Sequence, residues 1–581
     1  MLRIEIESLV TGIDGMTVLM TVETASVENL ITGFIFERRL RPEIAPDFCL
    51  TDARGNILKR HRTVASYDMK DGDKVYLIKN KRQLLFGCRN WTILATLSSL
   101  IAIVGLSVIT YLYTKSAAFP FDYVVVIDAG STHSDLYVFQ WRGEKFRNTG
   151  VVEEIATSRC EGEGLANYND ISSAADSLQG CIQLASTTIP PHALGATEIY
   201  LGATAGMRLL MLSNATAATL LMQEVRAVIC GKSRFKCSLD NIRIISGEEE
   251  AAYGWISVNF LGKTLAYAGS SPFSYGALDL GGASTQTAYS TSTNATVSLQ
   301  LFSERYDLYS QSYLCYGLRE TERMVGASLI MEQNSTVVNN PCRPFGNATS
   351  MPYDSIFGHV CTKGFSTAFP NSTIFTMKGT SNSAECKIHV RHIFHAANPT
   401  HVPDKLTIRS PEDRREFMAF SGYYSTMEFL NLSRSTGDRV SLSAFRNHTD
   451  AFCARSWKEI SMLDPSDPHS PYLTMYCFNA HFVDVLLTDA YGFTDQTFEN
   501  IIFIEKVGGT SIGWPLGMAL NATNARASEM PPEPAISPVT FGILLTVFLL
   551  LLLSAILCAL KAIRVARHHR NYQPLSTYGA I

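Results

Sequence analysis

Val124-Val-Val-Ile-Asp-Ala-Gly-Ser-Thr-His-Ser134 and Ala277-Leu-Asp-Leu-Gly-Gly-Ala-Ser-Thr-Gln286 share one design. Each is an apolar strand that delivers an aspartate, Asp128 or Asp279, into a loop of Gly, Ser and Thr. The strand holds the carboxylate at a fixed point, and a loop without bulky Cβ branches lets backbone N–H groups come close to phosphate oxygens. A lone strand ending in Asp-x-Gly is more often an ordinary turn. Two copies about 150 residues apart, with Asp, Gly and Ser in matching places, point instead to two lobes gripping a polyphosphate and its metal, and so to an enzyme.

The 581 residues allow several domains, and a net charge of −4 with no basic stripe in the long middle region argues against nucleic-acid binding. Trp91 to Tyr113 and roughly Val539 to Leu560 are free of charge and long enough to cross a bilayer. The first lies too far along the chain for a cleaved signal peptide and reads as a signal anchor. Lys79, Lys81, Arg82 and Arg89 precede the first span, and Lys561, Arg564, Arg567 and Arg570 follow the second. The positive-inside rule then puts both termini in the cytosol and residues 114–538 outside or in a lumen. That region holds eight Asn-x-Ser/Thr sequons, from Asn214 to Asn521, and ten of the 13 cysteines. An even cysteine count in a glycosylated segment reads as five disulfides; metal binding competes poorly, because no Cys-x-x-Cys pair or matched His spacing is present. Cys160–Cys181, Cys230–Cys237 and Cys453–Cys477 are expected as near-neighbour pairs.

Three further segments carry chemistry. Tyr200-Leu-Gly-Ala-Thr-Ala-Gly-Met-Arg208 is a strand running into a helix whose first N–H groups, at Ala205 onward, together with Thr204, suit a phosphate oxygen or a water. Arg208 is either part of that site or a structural ion-pair partner. Ile244-Ile-Ser-Gly-Glu-Glu-Glu-Ala-Ala-Tyr-Gly-Trp255 offers Glu250 as the carboxylate that a phosphate hydrolase needs to orient and deprotonate water; alone, the same run reads as an acidic helix start. Gly508-Gly-Thr-Ser-Ile-Gly-Trp-Pro-Leu-Gly517 is a Gly-rich turn with Trp514, a residue as well suited to a core.

In this order and spacing the five segments resemble the apyrase conserved regions of the ecto-nucleoside triphosphate diphosphohydrolase (GDA1/CD39-type) family, over residues 120–525. The resemblance implies an α/β, actin-like body of two ribonuclease-H-like lobes, 120–245 with 505–530 and 246–504, and hydrolysis of nucleoside tri- and/or diphosphates. It implies that Asp128 and Asp279 hold Mg²⁺ or Ca²⁺, largely through water, as hard oxygen ligands suit these ions. Ser131, Thr132, His133, Ala205, Gly281, Gly282 and Ala283 would cradle phosphates. Glu250 would be the base, with Ser284, Thr204 and Gln286 completing the catalytic set. Phe420-Ser-Gly-Tyr-Tyr424 is similar to the family's base-stacking segment and assigns Tyr424 and Tyr423 to the base, although no arginine partner stands just before Cys477. The family has Gly where this chain has Ala251. Crossed disulfides, Cys315–Cys361 and Cys342–Cys386, are likewise implied. An actin-like cytosolic kinase or chaperone ATPase would share the Asp loops but not the sequons and cysteines, and a catalytically dead receptor would lack Glu250 or an aspartate.

Residues 1–80 are read as a cytosolic, ubiquitin-like β-grasp (α+β) domain. Leu2, Ile4 and Ile6 alternate with charges, Val18, Met20 and Val22 form a second strand after Gly12–Gly15, and Ser26 caps a helix with Val27, Leu30, Ile31, Phe34 and Ile35 on one face. Strand-like pieces follow at 48–51, 57–58 and 74–79. A cytosolic protein partner is expected for this domain, and a homo-oligomer for the chain. Met530-Pro-Pro-Glu-Pro534 reads as a semi-rigid spacer before the second span at 539–560. In the cytosolic tail, 561–581, Tyr572-Gln-Pro-Leu575 fits the tyrosine-x-x-apolar form read by clathrin adaptors, favouring an endosomal–lysosomal or Golgi membrane, with the plasma membrane as the alternative.

Overall fold

The computed structural model describes residues 1–80, 88–114, 120–269, 273–365, 367–395, 415–434, 437–463, 472–528 and 535–570. It divides into two compact units, Met1–Ala118 with Pro531–Ile581, and Phe119–Met530. The spacer at 530–534 and the motif at Tyr572–Leu575 lie outside the described residues.

At the N-terminus, β1 (Leu2–Ser8) and β2 (Gly15–Thr21) form a hairpin whose turn uses Gly12 and Gly15 at φ 86° and 117°, a backbone that L side chains avoid. Helix α1 (Val27–Glu37) begins at Ser26, whose hydroxyl accepts from the Asn29 N–H while the Asn29 side chain returns the bond. β3 (Phe48–Thr51) and β4 (Lys74–Lys79) complete a sheet ordered β2-β1-β4-β3, with β4 parallel to β1. Ile4, Ile6, Leu30, Ile31, Phe34, Leu50 and Leu77 are essentially fully buried between helix and sheet. The expected face of the second strand is corrected. Ile4 pairs with Leu19 and Ile6 with Thr17, so Leu19 and Thr17 share the inward face and Met16, Val18 and Met20 are exposed. The expected strand at 57–58 is a single bridge from Ile57 to Thr51, with Leu58 buried. Helix α2 (Cys88–Thr114) follows.

In the larger unit, β5 (Phe121–Ala129), β6 (Ser134–Arg142) and β7 (Glu153–Arg159) form an antiparallel meander. β8 (Glu198–Ala203) and β9 (Lys236–Ile244) add in parallel on the other side of β5, giving the order β7-β6-β5-β8-β9. Helices α3 (Ile171–Asp176), α4 (Gln179–Thr188), α5 (Ala205–Ser213) and α6 (Ala215–Lys232) lie among these strands, and α7 (Gly247–Leu261) leads onward. The pattern then repeats. β10 (Gly276–Leu280), β11 (Ser284–Ser290) and β13 (Glu304–Leu314) run antiparallel side by side, with β12 (Val297–Leu301) added at the edge beyond β13. Helix α8 (Leu318–Gln333), a small sheet of β14 (Val337–Asn340), β15 (Ala348–Pro352) and β16 (Ile374–Gly379), and helices α9 (Tyr353–Phe357) and α10 (Ser383–His395) come next. β17 (Phe417–Ser421), β18 (Asp438–Arg439) and β19 (Ile501–Phe503) close the second large sheet, with β17 and β19 parallel to β10. Its order is β12-β13-β11-β10-β17-β19-β18.

The two large sheets bury their apolar faces against helices. Val125, Ile127 and Val138 pack on Ile182, Leu221 and Val225. From the opposite face, Val124, Val126 and Phe139 join Trp255 and Ile256 of α7, Leu516 and Leu520 of a later helix, and Ala277, Met418 and Phe420 of the second sheet. The unbroken apolar run of β5 is what a strand buried on both faces requires. Leu278, Leu280 and Ala419 face a third core with Val325, Leu329, Phe445 and Phe482, to which α11 (Gly422–Phe429), α12 (Leu442–Cys453), α13 (Trp457–Ile460) and α14 (Tyr476–Val485) contribute. Helix α15 (Trp514–Thr523) crosses α7 so closely that a Cβ on Gly517 would lie 1.9 Å from the Tyr253 carbonyl. Five disulfides join Cys160–Cys181, Cys230–Cys237, Cys315–Cys361, Cys342–Cys386 and Cys453–Cys477, the expected pairs. Helix α16 (Pro538–Arg570) returns to α2, with Tyr113 stacked on Phe541 at 4.2 Å. Asn90–Thr114 and Pro538–Val565 are long and apolar enough to cross a membrane.

Candidate functional site

Asp128 and Asp279 occupy the same place in the two repeats. Each is the penultimate residue of a sheet's first strand, opposite Asp135 or Gln286 across its hairpin and beside a parallel neighbour, Gly202 or Phe420. The loops that follow touch one another. A Cβ on Gly282 would stand 2.8 Å from Ser131 Oγ and 3.0 Å from Thr132 Cγ2, and one on Gly206 would stand 2.9 Å from Ser131 Cα, so only hydrogen fits at either position without a shift. Both loops have their carbonyls engaged by neighbouring segments. Gly164 N–H and Asn167 Nδ2 donate to Thr132 O and Ser131 O, while Leu318, Arg319 and Cys315 N–H donate to Gly281, Gly282 and Ala283 O at 2.8–3.0 Å. Thr204 and Ala205 are buried at the start of α5, with the Thr204 N–H on Ala129 O. His133 lies between the Thr132 hydroxyl and Asp135, which Arg159 also binds.

Glu250 reaches this region because of how α7 starts. Ser246 caps the helix, Glu249 closes the capping box and is held by Arg243, and Glu250, one position on, turns inward, where it is 7% exposed. Its Oε2 accepts from Arg208 Nη2 at 2.7 Å and from Gln286 Nε2 at 3.2 Å. The same two donors reach Ser284 Oγ at 3.1 and 2.6 Å, and Gln286 also donates to Ser312 Oγ at 2.8 Å. Gly247 makes room, since a Cβ there would meet Ser312 Cβ at 2.2 Å and Arg208 Nη1 at 3.1 Å. The structure therefore joins Glu250, Ser284 and Gln286 directly and adds Arg208 and Ser312. Arg208 is placed one helical turn after Thr204 on α5, a spacing visible in the sequence; Ser312 is brought in only by the β11–β13 register, Gln286 against Ser312.

The carboxylates repel one another. Burial, then Glu250, Asp135 and Asp279, drive the Asp128 pKa well above its ordinary 3.8. Burial and Glu250 raise Asp279 to about 7. Burial raises Glu250 as well, opposed by Arg208. Asp128 Oδ1 is buried with no hydrogen-bond partner among the described residues. Clustered acids with an unpartnered oxygen are a donor set for a hard cation.

Tyr423 and Tyr424 lie at the start of α11, directly after β17. Tyr423 is fully buried, its hydroxyl 3.2 Å from Thr285 Oγ1, which in turn donates to Asp279 O at 2.7 Å. Tyr424 is also buried and donates to Glu428. Ala251 packs in the central core, and Trp514 lies flat over Gly202, where a Cβ would be 2.4 Å from the indole.

The GDA1/CD39 (nucleoside phosphatase) family model matches residues 119–535. Ectonucleoside triphosphate diphosphohydrolase 3 of Mus musculus is 35% identical over 508 residues, covering 83% of this chain and 94% of its own length. Ectonucleoside triphosphate diphosphohydrolase 8 of Gallus gallus is 36% identical over 427 residues, 70% of this chain and 84% of that one. Among solved structures, the nucleoside triphosphate hydrolases from Neospora caninum share the fold, with a TM-score of 0.52 at 15% identity over 76% of this chain and 98% of that one.

Proposed function

The chain belongs to the GDA1/CD39 nucleoside phosphatase family, and we propose that it removes terminal phosphates from nucleoside tri- and/or diphosphates with the help of a divalent cation, outside the cytosol. The observation that carries this reading is the buried Glu250 carboxylate, bonded to Arg208 and Gln286 beside Ser284, in the same gap as two loops that each follow an aspartate. Asp128 and Asp279 would hold Mg²⁺ or Ca²⁺, and the bound ion would neutralise charge on the phosphate oxygens. Backbone N–H groups of residues 131–133, 205 and 281–283 cradle the phosphates, a role supported by the loop carbonyls being already occupied by other donors. Ser284, Gln286 and Thr204 place the attacking water, and Glu250 takes its proton. Arg208 opposes the upward pull of burial on the Glu250 pKa. Positioning and charge stabilisation then supply most of the rate, and no covalent intermediate is required.

Two spans, flanking cations at 79–89 and 561–570, and five disulfides between the spans support a membrane-anchored body facing an oxidising space, with both termini cytosolic. The β2-β1-β4-β3 sheet with its single α1 helix supports a β-grasp domain for residues 1–80. The testing experiment is phosphate release by detergent-solubilised full-length protein across nucleoside mono-, di- and triphosphates, with and without EDTA. Release from tri- or diphosphates that EDTA abolishes is expected. Equal rates with EDTA, or release confined to monophosphates, would overturn the reading.

A further inference from the structure

A cleft of about 280 Å³ adjoins the two aspartate loops; Ser131 and Gly206 line one wall, and Gly282, Ala283, Arg319 and His359 the other. Its charges are not alike. Glu320 is occupied by Arg323, whose Nε and Nη2 each lie 3.1 Å from its oxygens, and the third nitrogen of Arg323 donates to Ser355 O. Burial, then Arg323, hold the His359 pKa below its ordinary 6.5 against the opposing pull of Glu320. Arg319 stands apart. Its N–H donates to Gly282 O at 2.8 Å, and its Cδ lies 3.4 Å from the point where a Cβ on Gly282 would sit. The side chain is thus seated on the glycine loop, while the residue as a whole is exposed and, among the described residues, has no carboxylate within 4 Å of its guanidinium. Glu163 lines the facing wall without forming such an ion pair.

We propose that the Arg319 guanidinium binds a phosphate group in this cleft. The planar fork of an arginine matches two phosphate oxygens, and an unpaired cation on a glycine loop between two walls is where such an anion gains most. The phosphate can come from the bound nucleotide or from the orthophosphate just released. The proposal rests on the hydrolase reading above.

The test compares wild type, Arg319→Ala and Arg319→Lys as full-length protein in detergent. Three quantities are measured: KM and kcat for nucleotides, inhibition by inorganic phosphate, and melting temperature. Losing one charge-assisted contact should weaken phosphate affinity about 10-fold or more, with Arg319→Lys in between. A rise of that size in KM at nearly constant kcat identifies the nucleotide phosphate; weakened inhibition by inorganic phosphate at unchanged KM identifies the product. If both stay within about threefold of wild type while the melting temperature is preserved, the proposal is overturned. Should the wild type release no phosphate from any nucleotide, the hydrolase reading fails by itself. Calorimetric titration of wild type and Arg319→Ala with ADP and with inorganic phosphate then decides the Arg319 proposal, equal affinity for both probes refuting it.

Discussion

Asp279→Asn is expected to stabilise the metal-free protein at alkaline pH while removing its response to divalent cations. Burial and the Glu250 carboxylate lift the Asp279 pKa from 3.8 to about 7. With the folded value above the unfolded one, the folded state favours the protonated acid. That contribution is whole below about pH 4 and is lost as pH rises through about 7. A rise of about three pKa units amounts to about 4 kcal/mol by pH 8, and because Asp279 is only partly buried by surface area, water reduces the cost to about 2–4 kcal/mol. An amide has no charge to desolvate, and its oxygen can still accept from Ser421 and the Leu280 N–H. Thermal unfolding of both proteins is followed at pH 4 and pH 8, in EDTA and in excess Mg²⁺ or Ca²⁺. In EDTA at pH 8 the variant should melt several degrees higher, and at pH 4 the two should coincide. At pH 8 the cation should raise the melting temperature of the wild type alone. A variant that melts below wild type in EDTA at pH 8, or gains as much from the cation, would refute the placement of Asp279 in a repelling, cation-holding cluster.

Arg208→Gln removes the cation that opposes the upward drift of Glu250, so ionised Glu250 becomes scarcer at a given pH. The acid limb of the rate profile should move up by about 1–3 pH units, leaving more activity at pH 8 than at pH 6 relative to wild type. Gly247→Ala inserts a methyl 2.2 Å from Ser312 Cβ and should cost about 1–3 kcal/mol of stability together with most of the turnover, as read by melting and phosphate release. In the N-terminal domain, Ile6→Ala should cost about 2–5 kcal/mol and Val18→Ser no more than about 0.5 kcal/mol, and neither should alter nucleotide hydrolysis. Equal costs at the two positions in hydrogen-exchange or melting data would reverse the strand's facing.

Much of this architecture is legible without coordinates because the strongest signals are local. A run such as Val124–Ile127 followed by Asp-Ala-Gly-Ser has few alternatives to a strand delivering a carboxylate into a tight loop, and its repeat at Ala277–Ser284 announces the second sheet. Helix α1 is readable from Ser26 and its apolar stripe. Facing is harder. On β2, Val18 and Met20 look like the inward set, yet the hairpin turn fixes a register that points them to solvent. The contact of Tyr423 with Thr285, 138 positions away in the chain, is likewise set by packing and invisible in its own segment. Ser312 carries no signal in its own segment, being one of several hydroxyls along β13, and only pairing with β11 selects it. Arg208 is readable as a helix-face neighbour of Thr204, but its partner, 42 residues away, is not.

The most direct test of the account compares Glu250→Gln with wild type in nucleotide binding and in single-turnover phosphate release, both in saturating divalent cation. Glutamine keeps the size and the contacts of Glu250 with Arg208 and Gln286 but cannot accept the proton of water. With Glu250 as the base, nucleotide affinity stays close to that of wild type and the rate of release falls by roughly 10²–10⁴. Release at near wild-type rate, with the nucleotide bound equally well, would contradict the assignment of Glu250 as the base and with it the proposed centre.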